Sequence, residues 1–228
     1  MDLNGDGIAD IISGDYDSGC ISYFEGTRTG FKAKTVIREE RPPAAATLKT
    51  LVMSRLVVED RAMGTASFVD WDGDGDVDLI VGNGFGGITL NVNKGTRTVP
   101  TFGARVPLLV DGKPMRVIQK SDPAPVDWDG DGILDIVAGD EAGGLTFFKG
   151  RRDRTFDAGR SLFTGRNVPS VEQDYDVIED WWKKDRGWDW SRIRICVVDW
   201  DNDGRLEVLV GYTGFNGKPS GIAVLRRK

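Results

Sequence analysis

The chain contains no histidine. This excludes Ser-His-Asp and Cys-His triads, histidine-ligated zinc and imidazole acid–base chemistry. There are only two cysteines, Cys20 and Cys196. Two are too few for a disulfide scaffold or a cysteine-rich zinc site. No apolar run approaches the roughly 18 residues of a membrane-spanning helix. No signal-peptide pattern precedes the first motif at Asp2, so the N-terminus reads as a boundary left by processing. Basic residues are scattered, with only 151–154 (RRDR) and 226–228 (RRK) clustered, and a nucleic-acid partner is not expected.

What is abundant is glycine, with 30 residues, and carboxylate, with 36 Asp and Glu against 30 Lys and Arg for a net charge of −6. The acids are not spread evenly. They gather in four stretches: 2–10 (DLNGDGIAD), 70–78 (DWDGDGDVD), 127–135 (DWDGDGILD) and 199–207 (DWDNDGRLE). All four fit D-x-[DN]-x-D-G-x-x-[DE], with starts 68, 57 and 72 residues apart. Self-similarity at this period signals a repeat architecture. The likeness runs past the loops. Gly14, Gly82, Gly139 and Gly211 each stand twelve residues after the first Asp, behind a short apolar run. A second glycine follows (Gly19, Gly87, Gly144 and, after an insertion, Gly221), then another apolar stretch.

Short apolar runs between glycine turns predict antiparallel hairpins. One strand precedes each loop (TASFV, APV, IRICVV), a second follows it, and a third follows the second glycine. A fourth is expected through Phe31, Phe102 and Phe156. The second strand is apolar at nearly every position, which requires cover on both faces. Four-stranded sheets stacked between like sheets supply that cover. The expectation is an all-β chain: a β-propeller of four-stranded antiparallel blades, with four repeats in one domain, 1–228. The repeats fall at about 1–41, 64–110, 121–165 and 192–228, with insertions at about 42–63 and 166–191. The first repeat lacks the strand before its loop, and the last ends near where a fourth strand would begin. A closed four-bladed ring is favoured over an open array, which would leave faces and edges exposed. A dimeric ring or a piece of a larger parent protein are the alternatives.

Alternating carboxylates on a tightly turned loop suit a hard cation that takes six to eight oxygens. The expected ligands are Asp2, Asn4, Asp6 and Asp10 with the Ile8 carbonyl; Asp70, Asp72, Asp74 and Asp78 with the Asp76 carbonyl; Asp127, Asp129, Asp131 and Asp135 with the Ile133 carbonyl; and Asp199, Asp201, Asp203 and Glu207 with the Arg205 carbonyl. Up to four structural Ca²⁺ would follow. These are not EF-hands, because the twelfth position, which should be a bidentate Glu, is Ser13, Val81, Ala138 or Val210. Metal-free Asx turns explain one such loop, but not repeated carboxylates that repel each other without a cation.

These loops, the following I-V-G strand, and the segment 93–102 (NKGTRTVPTF) resemble FG-GAP repeats in their VCBS-like form, over essentially the whole chain. The resemblance implies a calcium-bearing β-propeller and no particular reaction. It fits a non-catalytic module for carbohydrate or protein recognition at an extracellular, cell-surface or periplasmic address. The rival is a polysaccharide-active lyase or hydrolase, or its accessory propeller; the best acids outside the loops are Glu172, Asp174, Asp176, Glu179 and Asp180. No catalytic residue is assigned. Trp181, Trp182, Trp188 and Trp190 are the candidate ligand surface, the alternative being a lid packed over the blades. Segment 42–60 reads as a short helix or irregular strand over an exposed edge. For Cys20 and Cys196 a ring-closing disulfide is conceivable, and two buried thiols are the simpler reading.

Overall fold

The computed structural model describes residues 2–15, 20–37, 64–163, 191–213 and 220–226. No helix occurs among them, and every strand-to-strand ladder is antiparallel. The sequence-predicted hairpins form where expected. The first repeat gives β1 (Ile11–Gly14), β2 (Ile21–Phe24), β3 (Gly26–Thr27), β4 (Gly30–Phe31) and β5 (Thr35–Val36). β1, β2 and β5 make sheet one, and β3 and β4 pair as a small hairpin beside it. Sheet two is a four-stranded meander of β6 (Thr65–Val69), β7 (Asp78–Gly82), β8 (Ile88–Asn91) and β9 (Val106–Pro107). A hairpin of β10 (Leu109–Val110) and β11 (Lys113–Pro114) leads on to sheet three: β12 (Asp122–Val126), β13 (Asp135–Gly139), β14 (Leu145–Phe148) and β15 (Arg160–Phe163). Sheet four is β16 (Ser191–Val198), β17 (Glu207–Thr213) and β18 (Gly221–Arg226).

The sheets pack in chain order, β1 against β6, β6 against β12 and β12 against β16. Alternation along the second strands explains the stack. In β7, Leu79 and Val81 join Ile21 and Phe102 in a core between sheets one and two. Ile80, one residue out of phase, joins Ile136, Ala138 and Phe148 between sheets two and three. In β13, Val137 points the other way and packs with Ile193, Val208 and Val210 of sheet four. Two-residue periodicity in a strand apolar throughout therefore feeds two cores at once.

The glycine twelve residues after each first Asp lets the next sheet approach. A Cβ on Gly14 would lie 1.8 Å from the Gly64 carbonyl oxygen, and one on Gly82 would lie 2.2 Å from that of Ser121. On Gly139 it would press against Ile193 at 3.0 Å. Gly211, in the last sheet, meets only the Arg194 carbonyl of its own sheet, at 3.8 Å. The first strands are also tied to one another: Thr65 Oγ1 donates to the Ser121 carbonyl at 2.8 Å, Ser67 Oγ to Pro123 at 2.8 Å, and Ile195 N–H to Asp122 at 2.6 Å. β12 tolerates Pro123 and Pro125 because it is an edge strand of its own sheet.

Two expectations are corrected. Phe31, Phe102 and Phe156 do not run along the fourth strands; each stands four residues ahead of β5, β9 and β15. Phe102 and Phe156 are instead buried anchors bridged to Asn93 and Gly150, whereas Phe31, paired with Gly26, stands exposed. Cys20 and Cys196 are not joined by a disulfide, and the first is half-buried and the second exposed, so neither a disulfide nor a pair of buried thiols is formed. The four sheets form a series, and the contacts described do not by themselves close a ring.

In repeats two and three the turn from second to third strand is held by one side chain. Asn83 Oδ1 accepts the Gly87 N–H at 2.9 Å, and Asp140 Oδ1 accepts that of Gly144 at 2.9 Å. Burial drives the Asp140 carboxyl up from 3.8 to about 7, against the lowering effect of its backbone bonds. The folded chain therefore binds a proton the unfolded chain has lost, and stability falls as pH rises from about 4 through about 7. Asp140→Asn, which copies sheet two, is expected to raise the melting temperature above pH 7 and to change it little below pH 4. Equal shifts at both pH values would contradict this.

Candidate metal loops

Each loop is built around the side chain of its first residue, which folds over the following backbone. Asp127 Oδ1 accepts the Gly130 and Asp131 N–H groups at 2.8 and 3.0 Å, and Oδ2 accepts that of Gly132 at 2.9 Å. Asp2 does the same with Gly5, Asp6 and Gly7, at 2.7, 3.1 and 2.9 Å. Asp70 takes Gly73 and Gly75 at 2.8 and 3.1 Å; Asp199 takes Asp203 and Gly204 at 3.0 and 2.9 Å. The wrap demands a left-handed backbone at positions four and six. Glycine supplies it at both places in the first three loops, and in the fourth Asn202 holds φ at 58° ahead of Gly204 at 86°. The D-x-[DN]-x-D-G pattern specifies glycine only at the second of these positions. The backbone bonds, that of Gly7 foremost, hold the Asp2 carboxyl below the usual carboxylate range.

The fifth residue bonds forward in turn. Asp6, Asp74, Asp131 and Asp203 accept the N–H of Ile8, Asp76, Ile133 and Arg205 at 2.8–2.9 Å. Those four residues were expected to present their carbonyls; their amides are thereby fixed. In loop one Asn4 Nδ2 also donates to Asp6 Oδ2 at 3.3 Å.

The ninth residue behaves differently from the others. It is buried in all four loops, as Asp10, Asp78, Asp135 and Glu207. One oxygen of each accepts the N–H of the loop's second residue: Leu3 at 2.7 Å, and Trp71, Trp128 and Trp200 at 2.9 Å. In the first three loops the other oxygen accepts an N–H just past the third strand: Gly26 at 2.7 Å, Asn93 at 2.6 Å and Gly150 at 2.7 Å. Burial pushes the Asp78 and Asp135 carboxyls up, opposed by these backbone bonds. The sequence marked this residue as a ligand; the structure also makes it the joint between loop and outer strand.

The second residue carries a further task that the sequence did not reveal. Trp71 lies 6.0 Å, ring centre to ring centre, from Phe156 and packs on the core between sheets two and three. Trp128 packs in the core between sheets three and four. Trp200 has no following sheet to meet among the described residues and is exposed.

Carboxylate oxygens of Asp70, Asp72 and Asp78 lie within 4.8 Å of one another, as do those of Asp127, Asp129 and Asp135, and of Asp199, Asp201 and Asp203. Oxygens bound to one Ca²⁺ at about 2.4 Å can be no farther apart than about 4.8 Å, so these sets fit a hard cation. An N–H bond uses one lone pair of a carboxylate oxygen and leaves the other for an ion. The candidate surface of Trp181, Trp182, Trp188 and Trp190 lies outside the described residues, as do Glu172, Asp174, Asp176, Glu179 and Asp180 and segment 42–60.

The joint and the rim should separate under mutation. With chelator present, Asp135→Asn sets an amide donor against a buried backbone N–H and is expected to cost about 2–4 kcal/mol. Asp129→Asn, at the exposed rim, is expected to cost under about 1 kcal/mol. Urea unfolding of both variants measures this, and equal losses would show that the ninth residue is no joint.

No curated protein matches the sequence. Among solved structures, an Agrocybe aegerita lectin, described as specifically recognising non-reducing terminal N-acetylglucosamine, aligns at 18% identity and a TM-score of 0.44. The alignment covers 99% of this chain and 50% of the lectin chain, so this chain spans about half the length of that structure. Residues 127–210, from the first aspartate of loop three into β17, match the family model of the FG-GAP-like repeat.

Proposed function

We propose that the chain is a calcium-stabilised β-propeller module that serves recognition of a carbohydrate or protein outside the cell. The observation that carries this reading is the recurrence of one carboxylate-wrapped loop, with the same ninth-position joint, at the same end of all four sheets. Each Ca²⁺ would tie the first strand of a blade to its second, or in the first repeat hold the chain leading into β1. It would neutralise carboxylates that otherwise repel each other. Outside cells the ion is millimolar, enough to fill even extracellular-type sites with dissociation constants of about 10⁻⁴–10⁻³ M. The ion's role is structural; no reaction step is assigned to it.

The propeller reading rests on the face-to-face order of the sheets and on the two end faces. Ile222 and Val224 of β18 are 75% and 41% exposed, and Ile11 of β1 is 45% exposed. A wheel buries such faces between blades. No helix among the described residues is long and apolar enough to cross a membrane.

A thermal melt with and without excess EGTA tests the metal. A site filled at a hundredfold excess over its dissociation constant adds about 2.7 kcal/mol, and at this chain length 1 kcal/mol moves the melting temperature by about 2–4 °C. Chelation is therefore expected to lower it by about 5–10 °C per filled site, with recovery in Ca²⁺ but not Mg²⁺. An unchanged melt would overturn the calcium reading and the extracellular address with it. Light scattering on the same sample reads the ring: a monomer supports closure within one chain, and a dimer with no monomer overturns it.

A further inference from the structure

The four loops differ in what faces them from the end of the third strand. The register places a residue opposite each ninth-position carboxylate: Glu25 across from Asp10, Val92 from Asp78, Lys149 from Asp135 and Arg226 from Glu207. In sheet three, Lys149 Nζ donates to Asp129 and also to Asp131 Oδ2 at 2.7 Å. In sheet four, an Arg226 guanidinium nitrogen lies 2.9 Å from Asp201 Oδ2, and another lies 4.0 Å from Glu207 Oε1. These cations rest on the rim carboxylates that an ion would need. In sheet two the counterpart is apolar Val92. Among the described residues no Lys or Arg forms an ion pair with Asp70, Asp72, Asp74 or Asp78; the nearest basic contact is Arg154 donating to the Asp72 carbonyl at 3.2 Å. In sheet one Glu25 holds Lys32 at 2.5 Å, and Arg97 reaches Asp2 from sheet two, at 3.8 Å from its carboxylate.

We infer that Lys149 and Arg226 are built-in counter-cations of loops three and four, and that the loops therefore form a hierarchy in which loop two binds Ca²⁺ tightly while loops three and four bind it weakly. The inference rests on the calcium reading above and adds which loops answer to the ion. A fixed positive charge within hydrogen-bonding distance of two rim carboxylates must be displaced before a divalent ion can use them. Its departure costs the ion the Coulomb attraction and hydrogen bonds that the ammonium already makes. The same contacts hold loop three closed without metal, because the Lys149 ammonium bridges Asp129 and Asp131. Blades three and four thus carry their own cation, and blade two depends on the medium.

Calcium titration calorimetry on the wild type, Lys149→Met, Arg226→Met and Asp70→Asn/Asp72→Asn tests this. Methionine keeps the apolar stem and removes the charge. The expected result is a tight class in the wild type that disappears in Asp70→Asn/Asp72→Asn. In Lys149→Met and in Arg226→Met one further site should tighten by about tenfold or more. Circular dichroism of each variant in EGTA confirms that it is folded. If the wild type binds at all loops with one affinity and neither methionine variant changes it, the hierarchy is overturned and the calcium reading stands. If no protein binds Ca²⁺ at millimolar concentration, the calcium reading itself falls and the inference falls with it.

Discussion

The ninth carboxylate of each loop is the interaction on which the rest of the structure depends. In the first three repeats it makes two short bonds in opposite directions, one to the start of its own loop and one to the corner after the third strand. The corner residue is the partner of the repeat's phenylalanine: Gly26 of Phe31, Asn93 of Phe102, Gly150 of Phe156. A single buried side chain so fixes where the loop begins, where the third strand ends and where the outer segment turns back. Buried charge is costly unless it is fully bonded, and the backbone N–H groups that meet these oxygens meet that condition. Glu207 shows how the device adapts: one methylene longer, it keeps the bond to Trp200, and its other oxygen faces Arg226.

Each loop also reaches sideways. The residue whose N–H is held by the ninth carboxylate sends its side chain into a core: Leu3 is buried, Trp71 meets Phe156 of sheet three, and Trp128 packs with sheet four. The close-approach glycine at the other end of the second strand complements this contact. Sheets are therefore gripped near both ends, by an apolar side chain at the loop and by bare backbone at Gly14 or Gly82. Trp200 and Gly211, which have no following sheet among the described residues, show both devices idle.

Much of this was legible because repetition supplies its own controls. One D-x-[DN]-x-D-G loop is a turn; four in register, with a glycine at a fixed distance, define strands, turns and a two-faced second strand. The three-, four-, four- and three-stranded main sheets follow from that register. What escaped was information that lives between repeats or across a sheet. The phenylalanines read as strand residues because apolar character does not distinguish an anchor from a strand. The second-position tryptophans gave no hint of their neighbours, since inter-sheet distance is not encoded in local pattern. Lys149 and Arg226 lie 20 and 25 residues from Asp129 and Asp201, the rim aspartates they meet, and only the hairpin register brings them back. The signal existed: the residue opposite the ninth carboxylate can be counted once the hairpins are assigned.

The two ends of the stack are built to opposite specifications. At the loop end, every carboxylate loop follows the same nine-residue pattern, and its backbone is pinned by side-chain oxygens. At the other end, Ile37 hydrogen-bonds to Ile21, Gly64 abuts Gly14, Phe163 pairs with Leu145, and Ser191 pairs with Thr213. The chain therefore leaves and re-enters the sheets there for both long insertions. Closing a longer loop costs little additional free energy, about 0.6 kcal/mol for each doubling in length. The penalty is bearable only where neighbouring strands are already registered. The loop end provides that registration through the ninth carboxylates, with the rim carboxylates and their cations over them. The two long insertions, which account for most of the variation in repeat spacing from 57 to 72 residues, are thus placed at one end of the stack. A scaffold whose order is set at one end can change the other without losing its fold, and the constraint at Asp78 and Asp135 is what makes that separation physical.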